Sequence, residues 1–226
     1  MQSMEFGGAA SQSRRLPIYL LLDVSGSMSG APIQAVNQGV SLLYNELMND
    51  PSAIETAFIA VITFESQARM VTGLTELTKF KPPTLSAGGG TSLGAALQLL
   101  GTSLDRDLVS NSADRKGDYK PLIFLLTDGE PTDNWESAAD AIKNRTKNKV
   151  ATIIALGCGG GVNEATLKRI TDIVLRMDTV TPDKLNQFFK WVSQSVKIAS
   201  QSAQQAGAGL AQVNLSKPPE GIQVIL

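Results

Sequence analysis

The sequence predicts an α/β protein of three layers: a mostly parallel central sheet of about six strands, one antiparallel edge strand, and helices on both faces. Two short runs, "PIYLLLD" (17–23) and "LIFLLTD" (122–128), are apolar without alternation and have strand length. Such runs suit central parallel strands covered on both faces. Between them lie segments with apolar residues at three- and four-residue steps, the period of an amphipathic helix. Alternating strands and helices of these lengths require crossovers, and right-handed crossovers place helices on both sides of the sheet.

The elements follow in order. After the first strand, Ile33, Val36, Val40, Leu43 and Leu47 mark a helix, with Pro32 in the first turn, where proline is tolerated. "AIETAFIAVITF" (53–64) is rich in β-branched and aromatic residues and reads as a strand. A turn at Ser66 and Gln67 leads into "ARMVTGL", giving an antiparallel hairpin at a sheet edge. Leu93, Leu97, Leu100 and Leu104 mark the next helix, and "RKGDYKP" (115–121) is a loop before the second apolar strand. A helix near 134–147, the strand "VATIIALG" (150–157), a short helix near 163–171 and a weak strand "IVLRM" come next. The last helix carries Leu185, Phe188, Val192 and Val196. The domain therefore spans 16–200, after a flexible segment 1–15 and before a tail 201–226.

Composition narrows the function. The chain has 226 residues, 42% apolar and 18% charged, with a net charge of -1. A near-neutral balance argues against non-specific nucleic-acid binding, which needs a basic face. No apolar stretch reaches the length of a transmembrane helix. The N-terminus lacks the basic-then-apolar order of a signal peptide. Cys158 is the single cysteine, so no intramolecular disulfide forms, and a reducing, cytoplasmic setting fits. Its place at a strand end reads as packing. The chain contains no histidine. Ser-His-Asp and Cys-His catalysis and histidine-ligated zinc are therefore ruled out.

In open α/β sheets, ligands bind at the carboxyl ends of the strands, near the point where strand order reverses. Two apolar strands end there in Asp23 and Asp128. The turn "DVSGSM" adds Ser25 and Ser27, and "SAGGGTSLG" (86–94) brings Thr91 to a helix start. Two carboxylates and three hydroxyls form an oxygen-only set, suited to a hard cation, magnesium above all, with manganese or calcium as substitutes. Only two of the five groups are charged. Such a set under-neutralises the ion and leaves it a position for water or for an outside carboxylate.

These motifs resemble the three parts of the metal-ion-dependent adhesion site of von Willebrand factor A domains. "DVSGSM" is similar to the Asp-x-Ser-x-Ser signature, and "GGGTSLG" and "LLTDG" to the other two parts, in the same order along the chain. The resemblance implies a Rossmann-like fold, a magnesium held at Asp23, Ser25, Ser27, Thr91 and Asp128, and a role in protein interaction through a partner's Asp or Glu rather than in catalysis. "FES" (64–66), "TDGEPTD" (127–133) and "GCGGG" (157–161) further resemble the bacterial tellurium-resistance TerY-like subgroup. That likeness implies a stress-response setting beside a PP2C-like phosphatase and a Ser/Thr kinase-like protein.

Two rival readings stay open. Haloacid-dehalogenase phosphatases also place a strand-end aspartate beside magnesium, but use Asp-x-Asp, and Ser25 stands at the second position. The other rival is a scaffold with a vestigial site. Around the edge, Asp133 and Glu130 read as loop charges or, alternatively, as residues that support the site or its specificity, and Trp135 and Trp191 as packing residues on helices. "GCGGGVN" is a poor match to a dinucleotide loop, since Val162 replaces the third glycine. In the tail, "QSAQQAGAGL" (201–210) reads as a linker. Ile222, Val224, Ile225 and Leu226 are expected to dock on an apolar surface, an added strand being one mode.

Overall fold

The computed structural model describes residues 14–113, 116–147, 151–205 and 217–225. Seven strands form one sheet in the order β3-β2-β1-β4-β5-β6-β7. They are β1 (Leu16–Asp23), β2 (Ala57–Phe64), β3 (Ala68–Glu76), β4 (Leu122–Thr127), β5 (Thr152–Cys158), β6 (Ile173–Met177) and β7 (Gln223–Ile225). The helices are α1 (Ala31–Met48), α2 (Pro51–Thr56), α3 (Leu93–Asp107), α4 (Glu136–Lys147), α5 (Glu164–Ile170) and α6 (Pro182–Gln205). The five inner strands, β2, β1, β4, β5 and β6, are parallel; β3 and β7 lie antiparallel at the two edges.

The apolar runs divide between two cores because successive side chains of a strand face opposite ways. Ile18, Leu20 and Leu22 of β1 pack with α1 and α6; Leu21 and Tyr19 pack with α3 on the other face. Trp191 of α6 lies edge-on to Phe124 and stacks on Phe188, with centroids 6.4 and 6.0 Å apart. It is the packing residue the sequence suggests. Trp135 precedes α4 rather than lying on it, and the Arg169 guanidinium sits over its ring at 5.6 Å.

The mostly parallel sheet flanked by helices is as the sequence predicts, and three details differ. The run 53–64 is not one strand, since residues up to Thr56 belong to α2. Asp50 caps that helix by accepting from Ala53 N–H at 2.8 Å, and Pro51 fits its first turn. The sheet has seven strands and two antiparallel edges rather than about six and one. The extra strand is β7, which pairs with β6 on the domain's own sheet. Ile222, just before it, is buried in the core, and Ile225 packs on the opposite face. Finally, α6 takes residues 201–205 from the expected linker. The rest of that linker, most of the N-terminal segment and Leu226 lie outside the described residues.

Candidate metal centre

The chain runs from β1 out to β2 and β3, then returns across the sheet to β4, so strand order reverses between β1 and β4. In-register pairing of Leu22 with Leu126 puts Asp23 and Asp128 at this switch point, on the carboxyl edge. Asp23 is wholly buried and Asp128 half-buried.

The turn after β1 wraps back on its own carboxylate. Ser25 N–H donates to Asp23 Oδ1 at 2.8 Å. Ser25 Oγ and Ser27 Oγ lie 3.0 Å apart, and Ser27 Oγ donates to Asp128 Oδ1 at 2.7 Å. Ser25 is buried, whereas Ser27 is exposed at the rim. Thr91, also buried, enters from the glycine loop; a Cβ added to Gly129 would lie 3.5 Å from its Oγ1, which places that hydroxyl beside the Asp128 turn. The five sequence-predicted residues are thus brought to one edge.

The loops close tightly around them. Gly89 has φ +73, a conformation suited to glycine, and its carbonyl accepts from Gly26 N–H at 3.0 Å. A Cβ on Gly161 would come within 2.8 Å of Asp128 O, so the "GCGGG" loop packs against the Asp128 turn rather than forming a nucleotide cradle. Beneath lies Cys158, fully buried, its thiol pushed far up by burial first and by the charges of Asp128 and Asp23 next. It serves packing, as its position suggests.

The electrostatics fit a cation. Burial raises the Asp23 pKa above its ordinary 3.8; hydrogen bonds from Ser25 and Thr127 oppose the rise, and Asp128 adds to it. Among the described residues no lysine or arginine pairs with either carboxylate. A buried carboxylate with a like charge for a neighbour is costly unless a cation compensates it. No group of three His, Cys, Asp or Glu able to hold a metal occurs among the described residues, so a metal here would depend on the hydroxyls.

Thr127 escaped the sequence reading, and Asp133 takes the supporting role that stood as its alternative. Thr127 Oγ1 donates to Asp23 Oδ2 at 2.5 Å and so fixes the second oxygen of that carboxylate. Its signal was the β1–β4 register, which sets the residue before Asp128 opposite Asp23. Asp133 is not a loop charge: it accepts from Gly94 N–H at 3.0 Å and from Ala95 N–H at 2.9 Å, capping α3 from another loop. Thr132 reinforces this, since its Oγ1 accepts from Thr91 N–H at 3.0 Å and its N–H donates to Thr91 O at 2.9 Å. Glu130 is exposed, as a loop charge should be. Asp133→Ala is expected to cost about 1–2 kcal/mol, the usual loss of a helix cap. It should also loosen Thr91. Urea unfolding together with magnesium titration checks both effects.

Among solved structures, the fold resembles a von Willebrand factor type A protein from Catenulispora acidiphila, with TM-score 0.60 and 22% identity over 82% of this chain and 43% of that one. It also resembles proximal thread matrix protein 1 from the mussel byssus, in a structure described as having a zinc-occupied MIDAS motif, with TM-score 0.55 and 21% identity over 84% and 47%. A curated relative, the uncharacterized protein sll0103 of Synechocystis, is 28% identical over 171 residues, which are 72% of this chain and 37% of that protein. The chain thus spans well under two thirds of the length of these relatives. No helix among the described residues is long and apolar enough to cross a membrane. The profile of the von Willebrand factor type A domain matches residues 18–194, and the chain belongs to that family.

Proposed function

We propose that this chain is a metal-dependent protein-interaction module without catalysis of its own. Asp23, Ser25, Ser27, Thr91 and Asp128 would hold magnesium, which would supply a Lewis-acidic position for an Asp or Glu of a partner protein. The observation that carries this reading is the convergence of two carboxylates and three hydroxyls on one sheet edge, with Asp23 buried and, among the described residues, no basic side chain paired with it. Asp23 is oriented by Ser25 N–H and Thr127 Oγ1, which leaves its position fixed by β1 and β4. Ser27 and Asp128 lie at the rim, where a partner can approach.

The motifs at 64–66, 127–133 and 157–161 support a finer placement, in a cytoplasmic tellurite or stress response beside a PP2C-like phosphatase and a kinase-like protein. Calorimetric titration of magnesium tests the central claim. One class of site is expected, lost in Ser25→Ala, with no turnover of a phosphomonoester panel. Absence of magnesium binding to the unaltered chain overturns the reading.

A further inference from the structure

Beside the metal centre lies a cleft of about 390 Å³. One wall is β3. The strand alternates: Ala68, Met70 and Leu74 pack on the core, while Arg69 and Val71 face outward. Val71 and Val224 are the two exposed large hydrophobic residues among those described, and Val71 lines this cleft. The other wall is the segment 84–89, and it is pinned. Asn37 of α1 donates to Leu85 O at 2.9 Å and accepts from Leu85 N–H at 2.8 Å. Gly88 N–H donates to Val24 O at 2.8 Å. The cleft is therefore built into the fold.

It adjoins the metal centre, although none of the five proposed ligands lines it. Val24, between Asp23 and Ser25, lines it, as does Gly89, which accepts from Gly26 N–H. Arg69 and Glu65 both line it, 3.7 Å apart, and the Arg69 side chain is the more open to solvent, 67% exposed against 28%. Asp23 pairs with Phe64 and Phe64 with Ala68, so the β3 end of the cleft lies about 10 Å from Asp23, two strand spacings away. Val71 is three positions further along β3, about 14 Å from Asp23 on the diagonal. An extended peptide covers that distance in about four residues.

We infer that this cleft is a specificity subsite for an extended, acidic segment of a partner protein. The segment would place one carboxylate at the metal and a large aliphatic residue about four positions away against Val71 and Leu85, with a second acidic residue between them facing Arg69. The inference rests on the proposed metal-dependent interaction. It adds what that reading lacks, a reason for one acidic partner to be chosen over another: a carboxylate alone is common, and an aliphatic anchor at fixed spacing is not.

The test is a displayed library of short random peptides, each with one fixed aspartate, selected on the full chain with magnesium. Selected peptides should be released by EDTA and should share the aliphatic residue and the second acid. Val71→Asp should weaken them about tenfold or more, as loss of a buried aliphatic contact does. Arg69→Glu should weaken them severalfold and reverse the preference for the second acid. Both positions are exposed, so melting temperature and magnesium affinity should match the unaltered chain. Magnesium-dependent peptides indifferent to both substitutions overturn the cleft while leaving the metal reading intact. Peptides that ignore EDTA, or a library that yields none, overturn the coupling of cleft to metal; magnesium calorimetry on the same sample then shows whether the metal reading falls too.

Discussion

Asp23→Asn is expected to abolish magnesium binding and to leave the chain, in EDTA, at least as stable as the original. Asparagine has the same shape. Its Oδ1 can still accept from Ser25 N–H, where Asp23 accepts at 2.8 Å. Its amide can donate to Thr127 Oγ1, and that hydroxyl has Gly129 O at 3.4 Å as an alternative acceptor. Every hydrogen bond is therefore replaceable, while a buried charge facing Asp128 disappears. Asp23→Ala also loses the metal but strands Ser25 N–H, at about 1–3 kcal/mol for a buried group left unpaired, and leaves the Thr127 hydroxyl only its long bond to Gly129 O at 3.4 Å. The two variants thus separate charge from hydrogen bonding. Calorimetry and thermal melting in EDTA provide the measurement; magnesium affinity unchanged in Asp23→Asn would falsify the ligand assignment.

Gly39→Ala is expected to cost about 2 kcal/mol, although alanine is the better helix former by about 1 kcal/mol. Gly39 lies in the middle of α1 against α6. An added Cβ would stand 2.0 Å from Phe189 Cδ2 and 2.6 Å from its Cγ. Phe189 is buried and packs edge-on against Phe188 at 5.6 Å, so the ring cannot simply swing away. The two helices must separate instead, and overpacking of this kind outweighs propensity. For a chain of this size the melting temperature should fall by about 4–8 °C. Phe189→Leu in the same chain should recover part of the loss. An unchanged melting point would mean that the α1–α6 spacing is free to adjust.

The central sheet and the meeting of the five candidate residues at its edge were legible for one reason. Both strands that matter are apolar runs ending in aspartate, and the hydroxyls follow in short motifs that need no tertiary knowledge. What stayed hidden depends on contacts between distant segments. Asp133 caps a helix 38 and 39 positions before it, and nothing in "TDGEPTD" announces that partner. Thr127 became informative only with the β1–β4 register. The short helix α2 was absorbed into the apolar strand that follows, because six residues carry too little period to stand out. Strand β7 has only three residues and follows two prolines, so the tail showed apolar character without showing its sheet partner.

The hydrogen bond from Ser27 to Asp128 joins residues 101 positions apart. Closing so long a loop is an entropic debt that the chain must settle before the two oxygens meet. If the proposed cation binds there, it would arrive too late to hasten folding. Its influence falls on the reverse step: magnesium should lengthen the lifetime of the folded chain, slowing unfolding while the refolding rate stays as it is.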